Sequence, residues 1–454
     1  MRNIFITIFL LICIVLFPNS AYAFGWNIQK TFINPQEKID YVNINWWDNY
    51  SDPFLKEYII KAINCNHDAK KASWQVEEYK QMVKYQFGAE LPTLSFGTDY
   101  VGVHLPDAIM KDFNRNILAV PFNASYEADV FLKNHDKTKA SKKAYQANKF
   151  QEKSTYISLA SDVATVYLNI VKLDELICLQ QSIVKIKKEI LARAEAQYKR
   201  GVIAVPEVNN ARKDVQTAKN TLDDYLKSRD KLLTQLLVLT GDSACNISSI
   251  KRASIKNIEY RQAIPTEIQS DVIFARPDIL AAEANLQKAK IDVRVARKEF
   301  LPSVKINAIY SMSTLGGANF FSWQSAIAAV MAGFTQDIFR GGQKVANLKI
   351  YKARYEQIFE TYKQTDLNAI KEVSDSLFMI KEDTAIDNNT ISKAKLQADN
   401  FNRATESSKR GLISAKSLLL EKEQFLIMTQ NKVSSKTNRL IDYITLYKAV
   451  GGQL

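Results

Sequence analysis

Few residues in this chain have the types and spacing that chemistry needs. His67, His104 and His135 stand far apart and belong to no ligand motif, so each reads as ordinary surface. Cys13, Cys65, Cys178 and Cys245 follow neither a zinc spacing nor a disulfide framework. No Ser/His/Asp or Cys/His set sits in a recognisable local motif, and no glycine loop is built to cradle phosphate. The expectation is a protein that is not an enzyme and carries no cofactor or metal. What remains is two basic trios ending in glycine, Lys199, Arg200, Gly201 and Lys409, Arg410, Gly411, with acids nearby at Glu207, Glu421 and Glu423. Turn chemistry accounts for the trios, since glycine supplies left-handed backbone and a cation complements a helix C-terminus. The acids read as solvated helix surface unless a pore or a partner gives them another role.

The trios occupy matching places in a duplicated chain. "YKRGVIAVPEV" at 198–208 parallels "SKRGLISAKSL" at 408–418, and "ELPTLSFGTDY" at 90–100 parallels "FLPSVKINAIY" at 300–310. Both pairs keep one offset, 210 residues (411 − 201 and 301 − 91). Between them "YEADVF" at 126–131 matches "FTQDIF" at 334–339. Leu132 and Lys133 follow the first of these motifs where glycine is expected, whereas Gly341 and Gly342 follow the second. Tyr156, Leu159, Val163, Val166, Ile170, Leu173 and Ile177 step alternately by three and four, a coiled-coil seam, and Ile370, Val373, Leu377 and Ile380 repeat the step. Each half is therefore a helix-strand-strand-helix-helix unit whose last two helices form an antiparallel hairpin turning near Gly201 or Gly411.

Four segments read as strands instead, and in the first, at about 92–104, Leu94, Phe96 and Tyr100 alternate with Ser95, Gly97 and Asp99. In "ILAVPFNASYEAD", Leu118, Val120, Phe122, Ala124 and Tyr126 fall on one face, and Asn123, Ser125, Glu127 and Asp129 on the other. Val304, Ile306, Ala308, Tyr310 and Met312 alternate likewise with polar neighbours. The segment from Trp323 to Asp337 lacks clean alternation and is read as a strand from its place in the repeat. Pro121 counts against its own strand, because it has no N–H for the ladder. Each segment is about as long as a tilted membrane strand. Leu118, Val120, Phe122, Val304, Ile306 and Tyr310 are accordingly expected to face lipid, with the aromatics Tyr100, Tyr126, Tyr310, Phe320, Phe321 and Trp323 near the interfaces. Four strands cannot close a membrane barrel, so the sheet must be completed by other copies of the chain.

The N-terminus points to the same place. Arg2, the run "IFITIFLLICIVLF" and the small-x-small pattern Ala21-Tyr22-Ala23 predict a cleaved export signal over residues 1–23. Ile12 before Cys13 argues against lipid attachment. The 61 Lys+Arg and 48 Asp+Glu give a net +13, but cations and acids interleave along helical stretches, so nucleic acid is not an expected partner.

At this point the mature chain is similar, nearly end to end, to the outer-membrane factor (TolC-like) family of efflux and type I secretion systems. It most resembles the OprM-like and NodT-like branch that serves resistance-nodulation-division (RND) pumps. The resemblance is carried by "ARPDILAAEANLQKAKIDVRVARKEFLPSV" at 275–304, "DIFRGGQKVANL" at 337–348, "YEADVF" and "KRGVIAVPEV". It implies a mostly α fold with a β-barrel portion: a homotrimer whose chains each lend four strands to a twelve-stranded barrel, above a long periplasmic helical tunnel. The implied layout is a signal peptide at 1–23, an N-terminal equatorial region at 24–60, a first repeat at 61–241, an equatorial linker at 242–270, a second repeat at 271–442 and a C-terminal end at 443–454. The implied function is a passive outer-membrane exit duct for small molecules, with a periplasmic adaptor and an inner-membrane RND-type transporter as partners. Adaptor contact falls on Lys199, Arg200, Gly201, Lys409, Arg410 and Gly411. An acidic periplasmic gate would use Glu207, but the matching place in the second half is Leu420, with Glu421 and Glu423 nearest. A duct for type I protein secretion and a soluble periplasmic coiled-coil scaffold are the alternatives.

Overall fold

The computed structural model describes residues 35–104, 114–243, 250–265, 267–314 and 326–453. The predicted signal peptide, Cys13, Cys245, Phe320, Phe321 and Trp323 lie outside them. Two helical series of equal lengths dominate. In the first half α3 (His67–Gly88), α4 (Lys133–Lys199) and α5 (Val205–Leu239) have 22, 67 and 35 residues. In the second half α7 (Pro277–Lys298), α8 (Gln343–Lys409) and α9 (Ala415–Ala449) have 22, 67 and 35 again. Shorter helices α1 (Pro35–Asp40), α2 (Leu55–Cys65) and α6 (Ser270–Phe274) precede the two series.

Between α3 and α4, and again between α7 and α8, the chain leaves the helices to build one antiparallel sheet. Its strands are β1 (Thr93–Phe96), β2 (Asp99–His104), β3 (Asn114–Ala128), β4 (Ser303–Ser313) and β5 (Ala326–Thr335). β3 and β4 pair at the centre, β5 flanks β4, and β1 and β2 share the other side of β3. The first predicted strand is split in two, and Pro121 supplies the reason. In the register that sets Phe96 opposite Phe122 and Asp99 opposite Ala119, Pro121 stands opposite Gly97, in the gap between β1 and β2. Its carbonyl accepts from Gly97 N at 3.0 Å, but its ring nitrogen returns nothing, so the ladder is broken there. The weakly patterned fourth segment is a strand, paired with β4 from Ser303 opposite Thr335 to Met312 opposite Ala326.

The main core lies midway along α4. Tyr156, Leu159, Val163, Val166, Ile170, Leu173 and Ile177 are all buried. Residues before α3, the stretch around Ile255 and Ile258, and the end of α9 wrap this seam. Trp46 stacks on Tyr447 at 4.3 Å and Tyr260 packs on Tyr443 at 4.6 Å, so aromatic rings from three distant parts of the chain share one layer. Hydrogen bonds tie the same parts, from Tyr50 to the Leu440 carbonyl (2.9 Å) and from Tyr167 to Asp52 (2.9 Å).

The second seam behaves differently. Val373 is buried and Leu377 and Ile380 are half-buried, but Ile370 is exposed, contrary to the symmetric expectation. The cause is packing: among the described residues α4 packs extensively on α2, α3, α5, α7 and α9, whereas α8 packs mainly on α7 and α9 with a smaller contact to α6. Several more of its apolar side chains, among them Leu367, Phe378, Met379, Ile386, Ile391 and Leu396, are open to solvent in the single chain.

Candidate functional site

The strand registers sort side chains onto two faces without ambiguity. Phe96, Phe122, Tyr310 and Ala328 form one rung across the sheet, and Leu94, Ala124, Ala308 and Val330 the next. Phe96 and Phe122 lie 6.2 Å apart and Phe122 and Tyr310 6.4 Å apart, an aromatic ladder. The small residues Ala124 and Ala308 beside it leave a shallow apolar cavity of about 540 Å³. Leu118, Val120, Val304 and Ile306 fall on this face as well, so the register brings together all six residues expected to face lipid. Leu94, Val330 and Phe334 show how bare it is, at 83%, 76% and 79% exposure.

The opposite face holds Ser95, Asn123, Ser125, Glu127, Lys305, Asn307 and Ser311. Ser125 Oγ donates to Asn307 Oδ1 at 2.8 Å across the strands. Toward the β5 edge this face turns apolar, with Ile327, Ala329 and Met331. That explains why β5 carries no clean alternation.

At the far ends of the long helices, both turns are built alike. Arg200 caps α4 and Gly201 follows at φ +71°; its N–H reaches the Tyr198 carbonyl (2.9 Å) and Val202 N the Gln197 carbonyl (3.0 Å). Arg410, Gly411 at φ +73° and Leu412 repeat the arrangement on Ser408 and Ser407. These paired bonds satisfy the last carbonyls of each helix, and the positive φ calls for glycine. A Cβ at either glycine would meet nothing within 4 Å, so conformation alone selects it. Lys199, Arg200, Lys409 and Arg410 are exposed, and Lys409 pairs with Glu406 at 2.7 Å.

The next helices start differently. Ser414 accepts from Ser417 N at 3.0 Å and caps α9, while Ala204 leaves α5 without a side-chain cap. Glu207 is the third residue of α5 and Ser417 the third of α9, so Ser417, not Leu420, is the structural counterpart of Glu207. A cleft of about 390 Å³ joins the two tips and is lined by Arg193, Arg200, Glu207, Ser414 and Lys416 among others. Glu207 is exposed and has no side-chain partner among the described residues. The other two acids are engaged within the chain. Glu421 accepts from Gln397 Nε2 at 3.0 Å, and Glu423 is buried in an ion pair with Lys187 at 2.8 Å that ties α9 to α4.

Sequence reading missed the residues that hold the helices in register. Arg276, 5% exposed, donates to the carbonyl of Ala449 (2.7 Å) and to Asp278 and Glu372 (2.7 Å each), clamping α7, α8 and the end of α9. Asp136 takes Arg294 and Lys298, and both cations hold its carboxyl below the usual range against the opposing effect of burial. The only sequence signal was Arg276-Pro277-Asp278 itself, a helix start.

The model of the outer membrane efflux protein family matches residues 59–242 and 270–452, one match per repeat. The chain belongs to the outer membrane efflux protein family. Among curated relatives it is 25% identical to the probable outer membrane lipoprotein SilC of Salmonella typhimurium, covering 96% of this chain and 93% of that protein. It is 23% identical to the outer membrane protein OprJ of Pseudomonas aeruginosa, covering 90% and 86%. Its fold is similar to the crystal structure of the CmeC outer membrane channel of Campylobacter jejuni, at TM-score 0.81 and 22% identity over 90% of this chain and 88% of that one. The VceC outer membrane protein of Vibrio cholerae gives a TM-score of 0.79 at 18% identity, over 90% and 99%. As an outer membrane efflux protein the chain is a channel component, and the sheet with its bare apolar face is the part fitted to a membrane.

Proposed function

We propose that three copies of this chain close a twelve-stranded barrel in the outer membrane and continue below it as a helical tunnel. The assembly is a passive exit duct for small molecules, supplied by an inner-membrane RND-type transporter through a periplasmic adaptor. The observation that carries this reading is the open sheet. β5 on one side and β1 with β2 on the other have no further strand partner among the described residues, and one face is continuously apolar. In hydrocarbon an unpaired edge costs several kcal/mol per backbone group, so copies must join edge to edge. The unpaired apolar side chains of α8 support the same assembly, because a second copy would bury them.

The adaptor reading rests on the two exposed basic tips and the cleft between them, and the gate reading on Glu207, the acid without a side-chain partner among the described residues. Export by the N-terminal signal, without lipid attachment, completes the reading. The test is fractionation and electrophoresis of the full chain. A heat-sensitive trimer that sediments with outer membrane and needs detergent for release is expected; a water-soluble monomer would rule the duct out.

A further inference from the structure

Between α7 and α8 lies a cleft of about 400 Å³ lined by Lys290, Arg294 and Arg297 from one helix and Lys352, Tyr355 and Glu356 from the other. Four cations therefore face one carboxylate. The spacing makes this deliberate: 290, 294 and 297 fall on one stripe of α7, and 352 and 356 on one stripe of α8. Arg294 is already spoken for, since it donates to Asp136 through Nε (2.7 Å) and Nη2 (2.5 Å). Lys290, Arg297 and Lys352 pair with no carboxylate among the described residues, whereas Lys288, Lys298 and Lys344 close by each have one. The three unpaired cations, all exposed along the cleft, set against Glu356 leave a net charge of about +2 (3 − 1) at one place on the surface.

Cations held together without a counter-charge repel one another, so an anion gains from entering. A doubly charged tetrahedral oxyanion balances the charge. Arg297 offers a planar fork to two of its oxygens, the two lysines offer point charges, and the Tyr355 hydroxyl offers a further donor. The cleft starts near the sheet, because Arg297 stands six positions (303 − 297) before Ser303, the first residue of β4. Lys290 lies about 10 Å further along α7 at the helical rise per residue.

We propose that this cleft is a phosphate-binding site, with Lys290, Arg297, Lys352 and Tyr355 as its donors. The phosphate is either free or borne by a phosphomonoester lipid, and the two sources are separable. The full chain in detergent is titrated with inorganic phosphate by calorimetry, and its retention of phosphatidic acid and of phosphatidylcholine is compared by native mass spectrometry. The variants are Arg297→Gln/Lys352→Gln and, with the same charge removed from exposed positions elsewhere on α8, Lys393→Gln/Lys395→Gln. The first is expected to lose about tenfold or more in phosphate affinity, and the second to stay within about twofold of the parent. Loss of phosphatidic acid alone, confined to the first variant, supports the site with lipid as its source. Equal binding by all three proteins, or equal loss in both variants, overturns the proposal. So does a change in oligomer size confined to the first variant, because the cleft would then seat a carboxylate of a second copy.

Discussion

Leu132 shows how a single residue can depart from a repeat without breaking it. It sits at φ +57° where the second half has Gly342 at φ +79°, and each precedes the first residue of a 67-residue helix. A branched side chain in left-handed backbone costs about 1 kcal/mol. The Asp129 carboxylate holds the turn by accepting from the backbone N–H of Lys133 (2.6 Å) and His135 (2.8 Å). Since Leu132 is exposed, Leu132→Gly removes strain and little packing, and should raise stability by roughly 0.5 to 1 kcal/mol in thermal melts. A second residue-scale prediction concerns Asp442. Burial first, then the charge and hydrogen bond of Asp383, push its carboxyl up to about 7. The folded state thus holds a proton that the unfolded chain releases near the ordinary value of 3.8, and stability falls as pH rises between about 4 and 7. Asp442→Asn should flatten that slope and add on the order of 1 to 2 kcal/mol above pH 7, read from melting temperature against pH. Asp442 was not legible in sequence as anything special, whereas Leu132 stood out only by replacing glycine. The departure from glycine could be seen, but its left-handed backbone and the closeness of Asp383 could not.

At the scale of elements, the sheet and the hairpin turns carry different burdens. Opposite faces of β3 and β4 separate Leu118 and Ile306 from Asn123 and Asn307. Leu118→Lys or Ile306→Lys should cost about 2 to 4 kcal/mol in the membrane and reduce the assembled fraction, while Asn123→Lys and Asn307→Lys should assemble normally. Equal yields of heat-sensitive oligomer from all four would reverse the assignment of faces. At the turns, Gly201→Ala and Gly411→Ala should each lose about 1 kcal/mol from backbone strain alone. Lys199→Glu/Arg200→Glu should leave the melting temperature unchanged and weaken adaptor binding about tenfold or more in a pull-down with the adaptor hairpin. Loss of stability in that double variant would assign the cations to turn chemistry. The strands were readable because period two survives wherever one face is wet. β5 resisted because both of its faces are largely apolar.

For the whole molecule, the decisive feature is the imbalance between α4, covered by its own chain, and α8, which is not. Exposed Leu367, Phe378 and Leu396 extend along α8 far from the sheet, so the inferred interface reaches well below the membrane. Phe378→Glu/Leu396→Glu should abolish the oligomer even with the strands intact, visible as monomer on native gels, while the fold of each chain persists by circular dichroism. Persistence of the trimer would confine assembly to the barrel.

What the sequence determined by itself is everything that repeats locally: helix and strand period, the 210-residue duplication, the glycine turns and the lack of catalytic motifs. Those features depend on neighbours a few positions away, or on copying. Only the tertiary structure decided which seam is buried, that Glu423 is tied to Lys187 while Glu207 has no side-chain partner among the described residues, and that cations from α7 and α8 face one another across a cleft. These outcomes depend on which helices become neighbours in space, and no periodicity within a single segment encodes that.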